Sequence, residues 1–212
     1  LGDTQAAYQA QGINLPIQFL TQEQFWQMKQ ARIPDIEIAM RSGLQGQEVD
    51  VFLRRVNEIV NDPNLLDKDR LQPGVHWALA LLHSRGVRLV LVTLRRQTQA
   101  TQILQNYGLA RLFNGIWGTH DDDAAYHNYA EVKTQLLIKA ISQQNLSPAS
   151  AWMIGDTEAD ILAGQAVGIP TMALTCGLRS HFYLKQFQPT RITGDLLSAA
   201  QFLLAHRPLI AV

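Results

Sequence analysis

The chain has 212 residues, of which 47% are hydrophobic and 17% are charged, so it can bury a sizeable core. Its 18 basic residues balance its 18 acidic residues, and this balance leaves no net field to attract a nucleic acid. The one cysteine, Cys176, cannot form a disulfide within the chain, which fits a reducing compartment. Arg88 interrupts the longest apolar run, so we expect no membrane span. These features predict a cytoplasmic globular protein with neither a nucleic-acid nor a membrane partner.

The first third of the chain has the pattern of short helices. It is rich in Gln and Glu and has no β-branched run that would indicate a strand. Four amphipathic stretches follow one another: one around Tyr8, one with Phe25, Trp26 and Met28, one from Pro34 to Gly43, and one from Val49 to Val60. We expect the aromatic residues of the second stretch to be core residues rather than part of a substrate pocket.

After Asp67 the pattern changes to alternating helices and strands. The predicted elements are, in order, a helix from Pro73 to Leu82 that ends before Gly86, a strand Val87–Val92, a helix Thr98–Tyr107, a strand Ile116–Trp117, a helix Glu131–Gln144, a strand Ala151–Ile154, a helix Glu158–Val167, a strand Thr171–Thr175, an edge element from Ile192, and a helix Leu196–Leu204. Strands joined by crossover helices predict an α/β fold with a doubly wound parallel Rossmann-like sheet.

Polar residues follow three of the predicted strands directly. Thr93 follows the first, Asp156 the second, and Thr175–Gly177 the third, and Asp160 comes one helical turn after Asp156. Ligands bind at the carboxyl ends of the strands in such sheets. A carboxylate at a strand end with a second acid at the start of a helix suits a hard cation such as Mg²⁺, and the helix N-terminus favours a nearby anion.

These residues carry a resemblance to a known family. The segment from Met153 to Gly164 resembles the fourth motif of the haloacid-dehalogenase-like (HAD) phosphohydrolases. Val90–Thr93 is similar to the second motif, and Lys133 stands where the third-motif lysine is expected. Two later segments, Ala166–Thr171 and Gly177–Ser180, resemble the phosphoglycolate-phosphatase-like branch. The resemblance implies that residues 1–11 and 70–212 form the α/β core, and that residues 12–69 form an inserted small helical cap.

The resemblance also implies a reaction. The expected function is Mg²⁺-dependent hydrolysis of a small phosphorylated metabolite through an aspartyl-phosphate intermediate. Thr93 and Lys133 would hold the phosphoryl oxygens as catalytic residues. Asp156 would bind the Mg²⁺ ion, and Asp160 would support the metal site from its edge. The roles of Thr93 and Lys133 depend on the more specific fourth motif. By itself, a threonine at a strand end is usually a turn residue, and a lysine on a helix is usually a solvated charge.

One departure from the family pattern affects the chemistry. The first motif, Asp-x-Asp-x-Thr, supplies the nucleophile and the general acid, and it is absent from the chain. Leu1–Thr4 resembles what normally follows that motif, so Asp3 is not expected to be the nucleophile. The missing strand is central in the family's sheet, and its loss would expose apolar surface on both neighbours. We therefore expect a truncated sequence that is inactive as it stands.

Two other functions remain open: a phosphomutase of the same fold, and a non-catalytic relative that binds a phosphorylated ligand or a protein partner. A dehalogenase is disfavoured because it does not need the metal that the Asp156 and Asp160 pattern suits.

Several polar residues have ordinary interpretations. Arg95, Arg96 and Arg179 could contact substrate or lie on the surface. The triplet Asp121–Asp123 with His120 and His127 is interpreted as a solvated loop, since three adjacent acids do not converge easily on one ion. Leu94 stands where relatives usually have a small or polar residue. Cys176 has no evident base partner and is interpreted as a packing residue.

Overall fold

The computed structural model describes residues 20–60, 62, 68–120 and 124–206, together with residues 6, 9 and 10. The chain divides into two compact units, Leu1–Leu65 and Leu66–Val212. The assignment of residues 1–11 to the core and of residues 12–69 to a cap remains a prediction. None of the described helices is both long and apolar enough to cross a membrane.

The first unit contains three described helices: α1 (Gln22–Gln30), α2 (Asp35–Arg41) and α3 (Gln47–Val60). Helix α1 begins with a reciprocal cap, in which Gln24 N donates to Thr21 Oγ1 at 3.1 Å and Thr21 N donates to Gln24 Oε1 at 2.9 Å. The apolar faces of α2 and α3 form the core of this unit, with Ala39, Leu44, Val49 and Phe52 buried together.

The predicted core role of the aromatic pair in α1 is wrong. Phe25 is 40% exposed and Trp26 is 45% exposed, and α1 has no buried residue. The apolar residues of α1 are too few, among its four Gln residues, one Glu and one Lys, to form a continuous buried face. The stretch around Tyr8 lies outside the described residues.

The second unit alternates strands and helices as predicted. Its elements are α4 (Val75–Ser84), β1 (Val90–Arg96), α5 (Gln97–Asn106), β2 (Gly115–Thr119), α6 (Ala124–His127), α7 (Ala130–Gln143), β3 (Met153–Gly155), α8 (Glu158–Ala166), β4 (Thr171–Leu174), α9 (His181–Lys185), β5 (Arg191–Thr193) and α10 (Leu196–Ala205). The sequence pattern did not predict the two short helices α6 and α9.

All described strand pairs are parallel, and the predicted α/β fold is confirmed. Strand β1 pairs with β2, while β3, β4 and β5 form a second sheet in that order. Strand β1 starts at Val90 rather than Val87, because Val87 N donates to Leu82 O at the end of α4. It continues to Arg96, with a shift of register between Val92 and Arg96.

An apolar gap separates the two sheets. Strands β1 and β3 pair with no strand on the sides that face it, as far as the described residues show. A cavity of about 790 Å³ opens there, and residues of both strands line it, including Val90, Leu91, Val92, Met153 and Ile154. Val90, Leu91 and Val92 are only half-buried, although a continuous run of Val and Leu is typical of a fully buried central strand.

Candidate active site

Asp156 lies at the turn between β3 and α8. Strand β3 ends at Gly155, and Thr157 is the N-cap residue of α8, with extended backbone angles. The turn is tight because Gly155 has no side chain: a Cβ atom there would lie 2.0 Å from Asp160 Cγ. The glycine thus allows the first turn of α8 to fold back on the end of β3 and brings the two aspartates into one site.

The Asp160 carboxylate is held by three hydrogen bonds. Lys133 Nζ donates to Oδ1 at 2.5 Å. Thr157 donates to Oδ2 from both its backbone N, at 3.0 Å, and its Oγ1, at 2.7 Å. Lys133 is 7% exposed and Asp160 is 5% exposed, so this is a buried ion pair whose charges are compensated locally. The structure therefore brings together two predicted site residues from α7 and α8.

Asp156 is held differently. Leu178 N, in the loop after β4, donates to Asp156 Oδ2 at 2.7 Å. That loop touches the carboxylate, since a Cβ atom on Gly177 would lie 2.1 Å from Oδ2. In the described part of the chain, Oδ1 accepts no hydrogen bond from another residue. Burial raises the pKa of Asp156, and the Asp160 charge adds to the increase, against the Leu178 hydrogen bond and the charge of Lys133.

The two aspartates differ in how they would fit a Mg²⁺ ion. A partly buried carboxylate with one oxygen available and a raised pKa is a group that a divalent cation would stabilise in its charged form. Asp160 fits as a supporting residue, because both of its oxygens already accept hydrogen bonds. No cluster of three potential metal-binding side chains exists in the described ranges, so Asp156 would need further ligands from water, substrate or another segment. Both metal assignments remain predictions.

A second buried ion pair lies beside this site. Arg179 Nε donates to Glu158 Oε2 at 3.0 Å, and the two residues are 2% and 8% exposed. Burial raises the pKa of Glu158, but the hydrogen bond and charge of Arg179, together with the nearby Asn128 side chain, outweigh this effect, and the pKa falls below its usual value. The sequence pattern leaves Arg179 open between substrate contact and surface, and it does not single out Glu158. No spacing rule links these positions, and they pair because the start of α8 lies close to the loop after β4.

Thr93 lies in β1, at the edge of the other sheet. Its Oγ1 accepts a hydrogen bond from Arg95 N at 3.1 Å, within the irregular part of the strand. The adjacent Leu94 is 5% exposed and packs in one cluster with Ala159 of α8. This contact places the end of β1 next to the first turn of α8, and it explains why a large apolar residue is accommodated at position 94.

The remaining candidates are only partly placed. Arg95 Nη1 lies 3.0 Å from Asp69 Oδ2, so that guanidinium has a protein partner. Residues Asp121–Asp123 lie outside the described residues. Burial and the Asp156 charge raise the pKa of the Cys176 thiol, which keeps it protonated and agrees with a packing role.

Parallel strands whose carboxyl ends present a carboxylate and a hydroxyl, beside a buried lysine, define an α/β protein with a site suited to a cation and an anion. The model of the haloacid dehalogenase-like hydrolase family matches residues 4–168, and the chain belongs to this family. Its predicted resemblance to the phosphoglycolate-phosphatase-like branch is confirmed by several relatives.

Two relatives and one solved structure illustrate the similarity. A phosphoglycolate phosphatase from Psychrobacter arcticus is 30% identical over 136 residues, or 64% of this chain and 57% of that protein. Pyrophosphatase PpaX from Oceanobacillus iheyensis is 27% identical over 58% of this chain and 56% of its own length. A haloacid dehalogenase-like protein from Streptococcus pneumoniae shares the fold, with a TM-score of 0.64, 19% identity, and coverage of 95% of this chain and 89% of that one. The chain thus spans a little over half the length of the curated relatives that it matches.

Proposed function

We propose that the protein is a Mg²⁺-dependent phosphomonoester hydrolase that acts on a small phosphorylated metabolite through an aspartyl-phosphate intermediate. The observation that carries this proposal is the arrangement at the end of β3, where Asp156 keeps one oxygen available beside the Lys133–Asp160 pair. The family match and the phosphatase names of several relatives support it.

The chain's own residues would bind and orient the phosphoryl group. An ammonium group has three N–H donors, and Lys133 directs one of them to Asp160, so others can reach phosphoryl oxygens. Thr93 Oγ1 already accepts from Arg95 N, which leaves its own proton for a phosphoryl oxygen. Asp160 keeps the Lys133 ammonium group in place. A Mg²⁺ ion bound at Asp156 would offset the repulsion between the attacking carboxylate and the phosphate.

The nucleophile requires a further segment. The chain contains no Asp-x-Asp-x-Thr sequence. The gap between β1 and β3 is apolar, and no strand in the described part of the chain pairs with the edges that face it. A parallel strand of the same protein would fill this gap, unite the two sheets, and end next to Thr93 and Asp156. The carboxylates at the end of that strand would act as the nucleophile and as the general acid.

The test compares the 212-residue chain with the protein expressed from its natural start codon. Hydrolysis of phosphoglycolate and p-nitrophenyl phosphate is measured with Mg²⁺ and with excess EDTA. We expect Mg²⁺-dependent turnover by the natural protein, loss of turnover by its Asp156→Asn variant, and none by the 212-residue chain. Undiminished turnover in Asp156→Asn would overturn the proposal. Phosphate binding without turnover in the natural protein would favour the non-catalytic alternative.

A further inference from the structure

The ion pair between Glu158 and Arg179 has no part in the reaction proposed above, yet both side chains are almost fully buried. Removing two charges from water is costly, and an apolar pair of similar volume is often as stable. A contribution to stability is therefore a weak explanation for this buried ion pair. Its position relative to Asp156 gives a stronger explanation.

The pair and the Asp156 hydrogen bond join the same two segments. Glu158 is the first residue of α8, two residues after Asp156. Arg179 directly follows Leu178, whose backbone N–H donates to Asp156 Oδ2. Two parallel links therefore connect the turn after β3 with the loop after β4: one between backbone and carboxylate, and one between two charged side chains.

Both ends of the ion pair are further supported. The Arg179 guanidinium lies 5.9 Å from the centre of the Tyr183 ring, and Ser180 caps α9 by accepting from Tyr183 N at 3.2 Å. The side chain of Asn128, in the turn between α6 and α7, lies near Glu158 and lowers its pKa. The pair thus lies at the meeting point of three segments around the site.

We infer that Arg179 is a positioning residue: through Glu158 it holds the loop after β4 so that Leu178 N–H occupies Asp156 Oδ2 and Oδ1 alone is presented to the cation. This inference rests on the proposed Mg²⁺ site. It follows from geometry, because Gly177 and Leu178 touch the carboxylate and a small shift of the loop would move the donor. Groups that hydrogen-bond to a metal ligand, as Leu178 N–H does to Asp156, typically contribute about 10–100-fold to metal affinity.

The test separates positioning from stability with three variants of the natural protein. In Glu158→Leu/Arg179→Met both charges are replaced by apolar groups, and we expect the fold to be retained, since an apolar pair can replace a buried ion pair. Arg179→Lys keeps a positive charge but not the fixed guanidinium geometry. Lys185→Met removes an exposed positive charge from the neighbouring helix α9 and serves as the matched control.

Two readouts are measured on each variant: the chemical shift of the Leu178 amide proton by NMR, and the Mg²⁺ dissociation constant by calorimetry without substrate. We expect the Leu178 amide to move upfield and the dissociation constant to rise about 10-fold or more in the double variant. Arg179→Lys should fall between it and the wild type, and Lys185→Met should match the wild type. A folded double variant with an unchanged amide shift and unchanged Mg²⁺ affinity would overturn the inference. A wild type that binds no Mg²⁺ would instead refute the proposed function, while the Leu178 shift would still report on positioning.

Discussion

The two sheets of the second unit differ in how completely they are closed. Strand β4 has a neighbour on each side, and its Thr171, Met172 and Ala173 are at most 1% exposed. Among the described residues, strand β1 pairs with β2 alone, and residues 90–93 are half-buried. The polar groups follow the same division. At the end of β3, another segment donates a hydrogen bond to each carboxylate, whereas Thr93 Oγ1 accepts its hydrogen bond from Arg95 N of the same strand. The three-stranded side is thus preorganised, whereas the two-stranded side is open along β1 as far as the described residues show.

The largest effect on the preorganised side should come from Lys133→Met. This change leaves the Asp160 carboxylate buried without its counter-ion, and breaking a buried pair in this way costs about 3–5 kcal/mol. Urea unfolding would measure the loss. The control is Lys139→Met on the same helix, where the side chain is exposed and the expected change is within about 0.5 kcal/mol. Equal effects of the two variants would show that the ion pair does not organise the site.

Gly155→Ala should have the next largest effect. The added methyl group would overlap the Asp160 side chain, at 2.0 Å from its Cγ, and such overpacking typically costs about 1–3 kcal/mol. Gly194→Ala is the matched control, because no atom lies within 4 Å of its added Cβ. Thermal unfolding of both variants would check the difference. If Gly155→Ala were as stable as the wild type, the turn between β3 and α8 would have room for a methyl group at position 155, which would contradict the close contact with Asp160.

Asp156→Asn should produce a smaller effect with the opposite sign. Folding raises the pKa of Asp156 above its usual value of 3.8, mainly through burial, so the ionised carboxylate opposes folding when the pH exceeds the folded-state pKa. In metal-free buffer the variant should therefore unfold at higher urea concentration than the wild type near neutral pH. The difference should disappear as the pH falls below about 3.8, where the carboxyl is protonated in both states.

Asp195→Asn provides the comparison of opposite sign. The hydrogen bond from Ser198 N lowers the pKa of Asp195, so its contribution to stability is present above 3.8 and is lost as the pH falls through the folded-state value. That variant should be less stable than the wild type near neutral pH, and the loss should fade in acid. The same sign for both variants would contradict the burial of Asp156.

The sequence predicted much of this architecture because its signals are local. Periodicity and glycine positions predicted most of the alternating elements from Val75 to Ala205. The segment Met153–Gly164 predicted Asp156 at the end of a strand and Asp160 in the first turn of the following helix. Contacts between distant loops carry no such signal. Neither the bond from Leu178 N to Asp156 nor the pairing of Glu158 with Arg179 depends on spacing within one element. The exposure of Phe25 and Trp26 was missed for a related reason, since local pattern does not show what packs against a helix.

The smallest effect on stability, and one confined to the open side, should come from Thr93→Val. The substitution keeps the shape of the side chain and removes one acceptor, for Arg95 N, so the free energy of unfolding should fall by about 1 kcal/mol or less. Binding of inorganic phosphate to the natural protein should nevertheless weaken about 10-fold, because a hydrogen bond to a charged group contributes about 1.5–3 kcal/mol. Thr171→Val is the matched control at the opposite, amino end of β4: it loses the bond from Thr190 N and should leave phosphate affinity unchanged. Equal phosphate affinity in the Thr93 variant and the wild type would remove β1 from the anion site and leave phosphate binding to the three-stranded side alone.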